Sequence, residues 1–495
     1  MPLFEPGRNC WKIAQADTFT LLVDGENFFR SVRAAMSQAR KRIVLIGWDF
    51  DTRVRMYDTQ GEVDGPLEIG EYVDWLVHQN PDLHVHILQW DLGALKLTKR
   101  AKTLVKVATW LPHPRVHFAL DASHPTGAAQ HEKLIVIDDD IAFCGGIDIT
   151  EDRWDTRDHR DVEDKRTQPN DHDAGPWHDV STRMTGPVAA DLSRLAEQRW
   201  KNATGEDLSP TASSPEDARV PAQKSHTDQA GLQNVAVAIA RTRGELDERP
   251  AIREIEALYC DIIGTAQDVI YIETQYFTSK RIAAALAARL RRDDSPEIIL
   301  VTPQTADGWL ESQIMDTTRS RLVEALRGID TERRFHVYHP VTGGGSDIYV
   351  HAKVFIADDR FLRVGSSNLS NRSMGFDSEC DVCVDAQQAS DPERASVSIE
   401  TCRNDLLAEH LGCDRKHLVQ TVASEGSFAA AIAYHSISGR HLRPYEYPDL
   451  NLVQEWLTTN DILDPETSDT AWPSISLKDM PDRANLQFGN SNDPT

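Results

Sequence analysis

Two segments of the chain carry the same reactive side chains in the same order. They read "QHEKLIVIDDDIAFCGGID" from Gln130 to Asp148 and "VHAKVFIADDRFLRVGSSN" from Val350 to Asn368. In each segment a histidine is followed by a lysine, an aspartate, and then a Gly-Gly or Gly-Ser pair, at identical spacing. The two sets are His131, Lys133, Asp138, Gly145 and Gly146, and His351, Lys353, Asp358, Gly365 and Ser366.

Two imidazoles that face each other can divide the work of a displacement reaction. One of them, neutral, attacks as a nucleophile, and the other, protonated, donates its proton to the leaving oxygen. Two lysines and an amide can surround an anionic centre whose negative charge develops on non-bridging oxygens. This combination is typical of displacement at a phosphodiester. A metal site at the motif is not expected, because lysine is a cation rather than a ligand and no typical metal-ligand spacing occurs there.

The two motifs recur at equivalent places in two similar halves. Short apolar runs alternate with helical stretches, which is typical of an α/β fold. The runs predicted to be strands are Arg42–Phe50, Leu83–Asp91 and Val116–Asp121 in the first half, and Asp268–Phe277, Glu297–Pro303 and Phe335–Pro340 in the second. In the first half, His131 lies 15 residues after Val116, where the third predicted strand begins. In the second half, His351 lies 16 residues after Phe335, where the corresponding strand begins. The spacing predicts an internal duplication with a period of about 220 residues.

The duplication and the local composition divide the chain into four parts. Residues 1–203 form an N-terminal half with the first motif, and residues 233–458 form a C-terminal half with the second. Between them, residues 204–232 are rich in Pro, Ser, Asp and Glu and are predicted to be a linker or surface loop. Residues 459–495 are predicted to be a polar tail.

Composition limits the class of protein further. The chain has 495 residues, too many for one hydrophobic core, and a formal net charge of −25. That charge argues against nucleic acid as a partner, because nonspecific binding to nucleic acid depends on Lys and Arg neutralising phosphates. Seven dispersed cysteines indicate reduced thiols. Neither a membrane-spanning segment nor a signal peptide is expected, so a cytoplasmic location or a peripheral one at a membrane is predicted, with non-classical export left open.

Several blocks beyond the motifs also point to one family. They are "GGIDITEDRWDT" (145–156), "PWHDV" (176–180), "GPVAADLSRLAEQRW" (186–200), "IYIETQYF" (270–277) and "GSSNLSNRSMGFDSE" (365–379). Together with the doubled motif, they resemble the phospholipase D superfamily over most of residues 5–415, and phospholipases D proper in particular. The resemblance implies two fused α/β/α sandwich halves that are related by a pseudo-twofold axis, with the active site at their interface.

The resemblance also implies roles for individual residues. His131 would be the nucleophile, and His351 would protonate the departing alcohol and then activate the acceptor. Lys133 and Lys353 would hold the phosphate oxygens.

An acid would lie on the far nitrogen of each histidine, and the candidates for it are Asp179 and Glu379. Asn368, Gly146 and Ser366 are assigned to the substrate side, although a simple turn is an equally good reading of the glycine positions. Asp148 stands where the second motif has Asn368, and is assigned a supporting role.

The sequence allows two interpretations of the motif aspartates and of several aromatic residues. Asp138 and Asp358 belong to the catalytic motif by name, but their distance from the lysines along the strand favours support of the local turn. Aromatic residues near the expected mouth of the site could line a substrate pocket or simply pack in the core. They are Trp48, Trp154, Trp177, Tyr276 and Phe277.

Four functions are compatible with the motifs. The favoured one is a monomeric, cofactor-independent phospholipase D that acts on phosphatidylcholine or a similar phospholipid at a membrane surface, with transphosphatidylation to alcohols. A phosphatidyltransferase of the cardiolipin synthase type is the alternative. A nuclease is disfavoured by the net charge of −25. A degenerate scaffold is disfavoured because both sets of His, Lys and Asp are intact.

Overall fold

The structure is a computed structural model of the full chain. It describes residues 3–57, 61, 63–91, 100–166, 174–208, 231–306, 315–446 and 464–467. The predicted linker (204–232) and the predicted tail (459–495) fall mostly outside the described residues, so their character stays a prediction. Among the helices of the described ranges, none is both long enough and apolar enough to cross a membrane.

One continuous mixed sheet runs through both halves of the molecule. The strands of the first half are β1 (Lys12–Val23), β2 (Arg42–Gly47), β3 (His84–Trp90), β4 (Val116–Asp121), β5 (Leu134–Ile137), β6 (Ile141–Gly145), β7 (Trp177–His178) and β8 (Val180–Thr185). Those of the second half are β9 (Gly231–Arg243), β10 (Ile252–Arg253), β11 (Val269–Glu273), β12 (Glu297–Val301), β13 (Phe335–Val341), β14 (Tyr349–Val350), β15 (Val354–Ala357), β16 (Phe361–Gly365), β17 (Glu379–Asp385) and β18 (His441–Pro444). The order of the sheet is β18-β13-β12-β11-β15-β16-β17-β9-β1-β8-β6-β5-β2-β3-β4, with β10 paired to β9, and β7 and β14 form a separate pair.

The strand order is nearly the same on either side of the centre. From the outer edge inward, the first half runs β4-β3-β2-β5-β6-β8-β1, and the second runs β13-β12-β11-β15-β16-β17-β9. In each half the three outer strands of this series are parallel and the remainder are antiparallel. This arrangement confirms the predicted duplication and all six predicted strands. The two half-sheets are also hydrogen-bonded to each other, because β1 pairs antiparallel with β9.

Helices cover both faces of the sheet, as the α/β/α prediction requires. On one face a single apolar cluster extends across both halves under α4 (Pro187–Thr204), α9 (Pro392–His410), α10 (Arg415–Glu425) and α11 (Phe428–His435). The other face has two separate clusters. One lies under α1 (Asp24–Ser37), α2 (Ile69–Gln79) and α3 (Ala101–Trp110), and the other under α5 (Glu254–Thr265), α6 (Lys280–Leu290) and α7 (Thr317–Ile329). A short helix, α8 (Asn371–Gly375), follows the second motif.

Local sequence explains where α4 begins and ends. Pro187 occupies its first turn, where the missing N–H of proline costs nothing. Gly205 ends the helix with a φ of 77°, a left-handed conformation that glycine adopts without steric strain. Residues at its two ends therefore determine where α4 begins and ends. Its apolar face packs on the sheet beside the first motif.

The strands that follow the two histidines are central and fully buried. All four residues of β5 and all four of β15 are buried, and each strand lies between two others. A strand that is covered on both faces has an apolar sequence throughout, as "LIVI" and "VFIA" do. This rigid position holds the residues immediately before each strand, which include the motif histidines and lysines.

Candidate active site

The two motif segments meet where the halves of the molecule face each other. The backbone N–H of His131 donates to the carbonyl of Ser378 at 3.0 Å, and that of His351 donates to the carbonyl of His178 at 2.8 Å. Each motif segment is thus hydrogen-bonded to backbone of the opposite half. The short parallel pair β7–β14 reinforces the second of these contacts. The site is therefore built across the pseudo-twofold axis.

Each histidine is held by an acid that the other half supplies. Nδ1 of His131 lies 3.1 Å from both carboxylate oxygens of Glu379. Nδ1 of His351 lies 2.7 Å from Oδ2 of Asp179. A carboxylate on Nδ1 fixes the tautomer and orients the ring, which leaves Nε2 as the atom that can face a substrate. Glu379 and Asp179, the two acids that the resemblance suggested, thus each lie at Nδ1 of a motif histidine. Each acid comes from the half opposite to that of its histidine.

The acids are held firmly in turn. Glu379 accepts hydrogen bonds from the hydroxyls of Ser366 at 2.5 Å and Ser373 at 2.7 Å. Asp179 accepts from the backbone N–H of Val180 at 2.8 Å. Both carboxylates are completely shielded from solvent, and burial raises the pKa of each above its ordinary value. Buried acids with fixed partners orient the two imidazoles with little freedom to move.

The two lysines are buried beside the histidines. Nζ of Lys133 donates to the carbonyl of His131 at 2.9 Å and lies 3.1 Å from Oδ2 of Asp148. Nζ of Lys353 donates to the carbonyl of His351 and to Oε1 of Gln275, the latter at 3.3 Å. The same Gln275 oxygen is 3.5 Å from Nδ2 of Asn368. The first lysine thus has a charged partner and the second a neutral one.

The pKa values of the two histidines and of Lys353 are lowered chiefly by burial. Burial, and then the charges of the two lysines, hold the pKa of His131 well below its usual range. Burial and Lys353 do the same for His351, with His131 among the further causes. Burial also lowers the pKa of Lys353 to about 7. An anion placed among these groups would reverse part of each shift, because it favours the protonated forms.

Comparison with known proteins agrees with this geometry. The family model described as "Phospholipase D" matches residues 35–285, about half of the 495 residues. A second model, described as "Cardiolipin synthase, PLD-like domain", matches residues 259–396. The chain belongs to the phospholipase D superfamily.

Relatives within this superfamily are distant. Phospholipase D alpha 1 of Nicotiana tabacum is 24% identical over 408 residues, covering 62% of this chain and 50% of the relative. Phospholipase D alpha 1 of Carica papaya is 23% identical over 511 residues, covering 76% of this chain and 63% of the relative. The chain thus spans between half and somewhat under two thirds of these curated relatives.

A solved structure is also similar, the phosphatidylserine synthase of Haemophilus influenzae Rd KW20. It has a TM-score of 0.51 and 13% sequence identity, and it covers 85% of this chain and 96% of that one. At this identity the likeness concerns the fold alone.

The motif aspartates of this phospholipase D superfamily member lie far from its histidines. Asp138 has a φ of 50°, and its carboxylate accepts from the backbone N–H groups of Arg40, Lys41 and Arg42 at 2.6 to 2.8 Å. Asp358 has a φ of 53°, and its carboxylate accepts from those of Gln267, Asp268 and Val269. Each aspartate follows the far end of its strand and ties a turn to the strand beside it. Of the two interpretations of these aspartates, these contacts favour support of the local turn over a catalytic role.

Two residues that were expected on the substrate side lie beside the acids. A Cβ on Gly146 would lie 2.1 Å from Oδ1 of Asp179, so this glycine makes room for the acid that holds His351. At the equivalent position of the second half, Ser366 donates its hydroxyl to Glu379, the acid that holds His131. Both residues thus help to place the acids, and contact of either with a substrate stays a prediction.

The aromatic candidates separate into two groups. The ring of Trp177 lies 5.1 Å from that of His351, and the ring of Trp48 lies 6.5 Å from that of His131, between centroids. Trp154 and Phe277 pack in the apolar clusters of the core. Tyr276 contributes its hydroxyl as a hydrogen-bond acceptor from the side chain of Gln275. Of these five aromatic residues, Trp48 and Trp177 have ring contacts with the motif histidines.

Four residues of the site were not found by sequence reasoning. Gln275 lies between Lys353 and Asn368, and Ser373 holds Glu379. Tyr349 stacks on Trp177, with 4.7 Å between ring centroids, and the guanidinium of Arg153 lies 4.2 Å from the same ring. All four lie inside or beside the blocks already singled out, but type and spacing alone gave no reason to prefer them to their neighbours.

Proposed function

We propose that this protein is a phospholipase D that cleaves the distal phosphodiester bond of a glycerophospholipid. The products are phosphatidic acid and the free headgroup alcohol, and a primary alcohol can replace water as acceptor. The observation that carries the proposal is the pair of imidazoles, each held through Nδ1 by a buried acid from the opposite half. Such a pair supplies a nucleophile and a proton donor to one phosphorus atom.

The proposed reaction has two displacements. Nε2 of His131 attacks phosphorus and forms a P–N bond while the P–O bond to the headgroup breaks. His351 gives its Nε2 proton to the departing alkoxide and becomes neutral. His351 then takes a proton from water or an alcohol, whose oxygen attacks phosphorus and breaks the P–N bond. The second step releases His131 and returns His351 to its protonated form.

The buried cations have a defined part in this scheme. Lys133 and Lys353 lie against the two histidines, and the amide of Asn368 lies beside Lys353 through Gln275. They would bind the non-bridging oxygens, where charge builds up in the transition state. Nδ2 of Asn368 carries two N–H groups and donates one of them to Oε1 of Gln275 at 3.5 Å. The other N–H group can therefore donate to a phosphate oxygen.

A phosphatidyltransferase of the cardiolipin synthase type is the second candidate. The family model described as "Cardiolipin synthase, PLD-like domain" matches residues 259–396, which include the second motif. Both candidates share the first displacement and differ only in the acceptor. The acceptor is therefore what an experiment has to identify.

The deciding assay uses purified protein and vesicles that contain phosphatidylcholine, phosphatidylethanolamine and phosphatidylglycerol. Products are quantified by mass spectrometry with and without a primary alcohol such as 1-butanol. Phosphatidic acid, replaced by phosphatidylbutanol when the alcohol is present, is the expected result. Cardiolipin formed from phosphatidylglycerol, with little phosphatidic acid, would favour the transferase. No turnover of any lipid would contradict both.

A further inference from the structure

Three histidines lie together on one face of the sheet near the outer edge of the first half. His84 and His86 are two residues apart on β3, so their side chains point to the same face. His117 on β4 is directly opposite His86 in the parallel register. A pair of histidines two apart on one strand, with a third on the next strand, offers three imidazole nitrogens to one point in space.

The three rings are close enough to share one ion. One nitrogen from each lies within 4.8 Å of the other two. Nδ1 of His84 is 3.3 Å from Nε2 of His117, which is about the separation of two nitrogens bound tetrahedrally to zinc with bonds of roughly 2.0–2.1 Å. The rings are nearly parallel, with interplanar angles of 3° to 20°. Binding therefore requires the two half-exposed rings, His84 and His117, to turn toward a common point.

His86 is the residue that calls for an explanation. It is 3% exposed, and both of its ring nitrogens are buried with no hydrogen-bond partner among the described residues. Buried polar groups in native proteins are normally hydrogen-bonded, because leaving them without a partner is costly. The edge of its ring system packs against Trp200 of α4, with 4.8 Å between centroids and an interplanar angle of 85°. The ring of His86 is thus held in place by packing, with a ring nitrogen available to accept a ligand.

The neutral form of the three side chains suits a cation. An imidazole with its ordinary pKa of about 6.5 is mostly neutral near pH 7, which is the form that binds metals. Two cations lie near the cluster and oppose a bound metal ion. Arg42 is paired with Asp139 and Glu197 at 2.8 Å each, and Arg115 donates to the carbonyl of Val77 at 2.6 Å.

We propose that His84, His86 and His117 bind a divalent transition metal ion, with zinc as the natural occupant. Three neutral imidazoles are a recognised ligand set for zinc and leave the fourth position for water. The half-exposed side of the cluster gives access for that water. Copper would bind more tightly than zinc to the same nitrogens, as the general order of divalent affinities requires.

The proposed metal site is separate from the active site. The two histidines of β3 lie near its amino end, whereas Trp90, which stacks on Trp48 beside His131, ends the same strand. Along β3, His84 lies six steps from Trp90, roughly 20 Å, and His86 lies four steps from it, roughly 13 Å, at about 3.3 Å per step. A metal here would tie β3 to β4 at the edge of the sheet and would take no part in phosphodiester chemistry.

The test is a titration of untagged, chelator-treated full-length protein with Co²⁺, which absorbs strongly in the visible range when it is tetrahedral. One Co²⁺ per chain, displaced by stoichiometric Zn²⁺, is the expected result. His84→Gln and His117→Gln should each weaken binding by at least tenfold. The exposed His78 of α2 provides the matched control as His78→Gln, and His131→Ala serves as a control for the catalytic histidines. Both controls should bind as the unaltered protein does.

A second measurement keeps the outcome clear if a variant is poorly folded. Zn²⁺ should raise the midpoint of thermal unfolding of the unaltered protein and of His78→Gln, and should leave that of His117→Gln unchanged. Circular dichroism shows whether each variant is folded before metal is added. Absence of tetrahedral Co²⁺ bands, or bands that persist in both cluster variants, would overturn the proposal. The three rings would then be a neutral stack whose buried nitrogens bind water.

Discussion

The most informative feature at the scale of single residues is the crossed pairing of histidines and acids. His131 of the first half is held by Glu379 of the second, and His351 of the second by Asp179 of the first. The two acids differ in length, and their surroundings differ accordingly. The hydroxyl of Ser366 donates a hydrogen bond to Glu379, whereas a side chain in place of Gly146 would collide with Asp179. The second residue of the Gly-Gly or Gly-Ser pair thus matches the acid that lies beside it.

The two histidines should differ in how completely their loss stops the reaction. His131→Ala should abolish turnover and leave no phosphatidyl group on the protein. His351→Ala should lose roughly 10²–10⁴ in rate on lipids whose headgroup is a poor leaving group, because it lacks the positioned acid. It should retain activity toward a p-nitrophenyl ester, whose leaving group needs no proton.

Trapping with radiolabelled lipid under rapid quench, followed by analysis for phosphohistidine, checks this assignment. Label in His131→Ala together with its loss in His351→Ala would reverse the two roles. The unaltered protein, treated in parallel, shows that the quench preserves the P–N bond. If it carries no label at all, direct attack by water is favoured instead.

The pH dependence of kcat/KM should be bell-shaped with its maximum below pH 6.5. Catalysis needs one neutral and one protonated histidine, and both pKa values lie below the ordinary value of 6.5 in the free protein. As pH rises above that range the pair loses its acid, and Lys353, with a pKa of about 7, then loses its charge. Bound phosphodiester favours protonation, so the alkaline limb of kcat should lie at higher pH.

Initial rates from pH 4 to pH 10, at saturating and at low substrate, separate the two profiles. Vesicle integrity is measured at each pH as the control. A kcat/KM that rose steadily across the whole range would contradict a mechanism with two histidines.

At the scale of elements, a four-residue piece near the carboxyl end supports the active site. The structure describes residues 464–467 as a short separate stretch, and Asp464 within it is 3% exposed. Its carboxylate accepts from the hydroxyl of Thr278 at 2.6 Å and from the backbone N–H groups of Asn371 at 3.0 Å and Arg372 at 2.8 Å. These last two begin α8, which carries Ser373, the residue that donates to Glu379. Asp464 therefore acts on His131 through α8.

Asp464→Ala should lower kcat/KM by roughly tenfold, because the loss of hydrogen bonds to a buried carboxylate costs on the order of 1–3 kcal/mol and loosens α8. Asp464→Asn, which keeps one acceptor oxygen, should lose less. Glu466→Gln removes the charge of a more exposed carboxylate, which pairs with Arg253, and serves as the control. Steady-state kinetics and thermal unfolding of the three variants are the measurements. Equal activity in all of them would show that α8 is held without Asp464.

At the scale of the whole molecule, the halves are joined by more than the chain between them. The pairing of β1 with β9 makes one sheet, and one apolar cluster extends under both halves. The crossed acids mean that neither half contains a complete site. The duplication thus gives a two-centre site within one compact molecule.

Cutting the chain between the halves should therefore leave an active protein. A protease site is inserted among residues 209–230, within the predicted linker, and the protein is treated with the protease to give two fragments. We expect them to co-elute in gel filtration and to retain most of the original activity, because the sheet pairing and the shared core hold them together. The same sample in denaturant provides the control, since it should separate into two peaks. Separation without denaturant, with loss of activity, would contradict this view.

Much of the fold could be predicted from the sequence because it depends on local pattern. Buried strands such as β5 and β15 have apolar residues throughout, and the recurrence of six strands in two series predicted the duplication. The joining of the two half-sheets through β1 and β9 was not predicted. Edge pairing depends on which strands meet after the halves have packed, and no local signal in either strand specifies that partner.

The sequence by itself determined the reactive groups of the site: two histidines, two lysines and two acids, all named from motif and resemblance. Only the tertiary structure decided which acid serves which histidine, and that Asp138 and Asp358 tie turns at the far ends of their strands. It also decided that Gln275 and Ser373 belong to the site. The physical reason is that spacing along a strand fixes the face a side chain occupies. Contacts between residues of different halves, which are more than 170 positions apart in the sequence, depend instead on how the two halves pack.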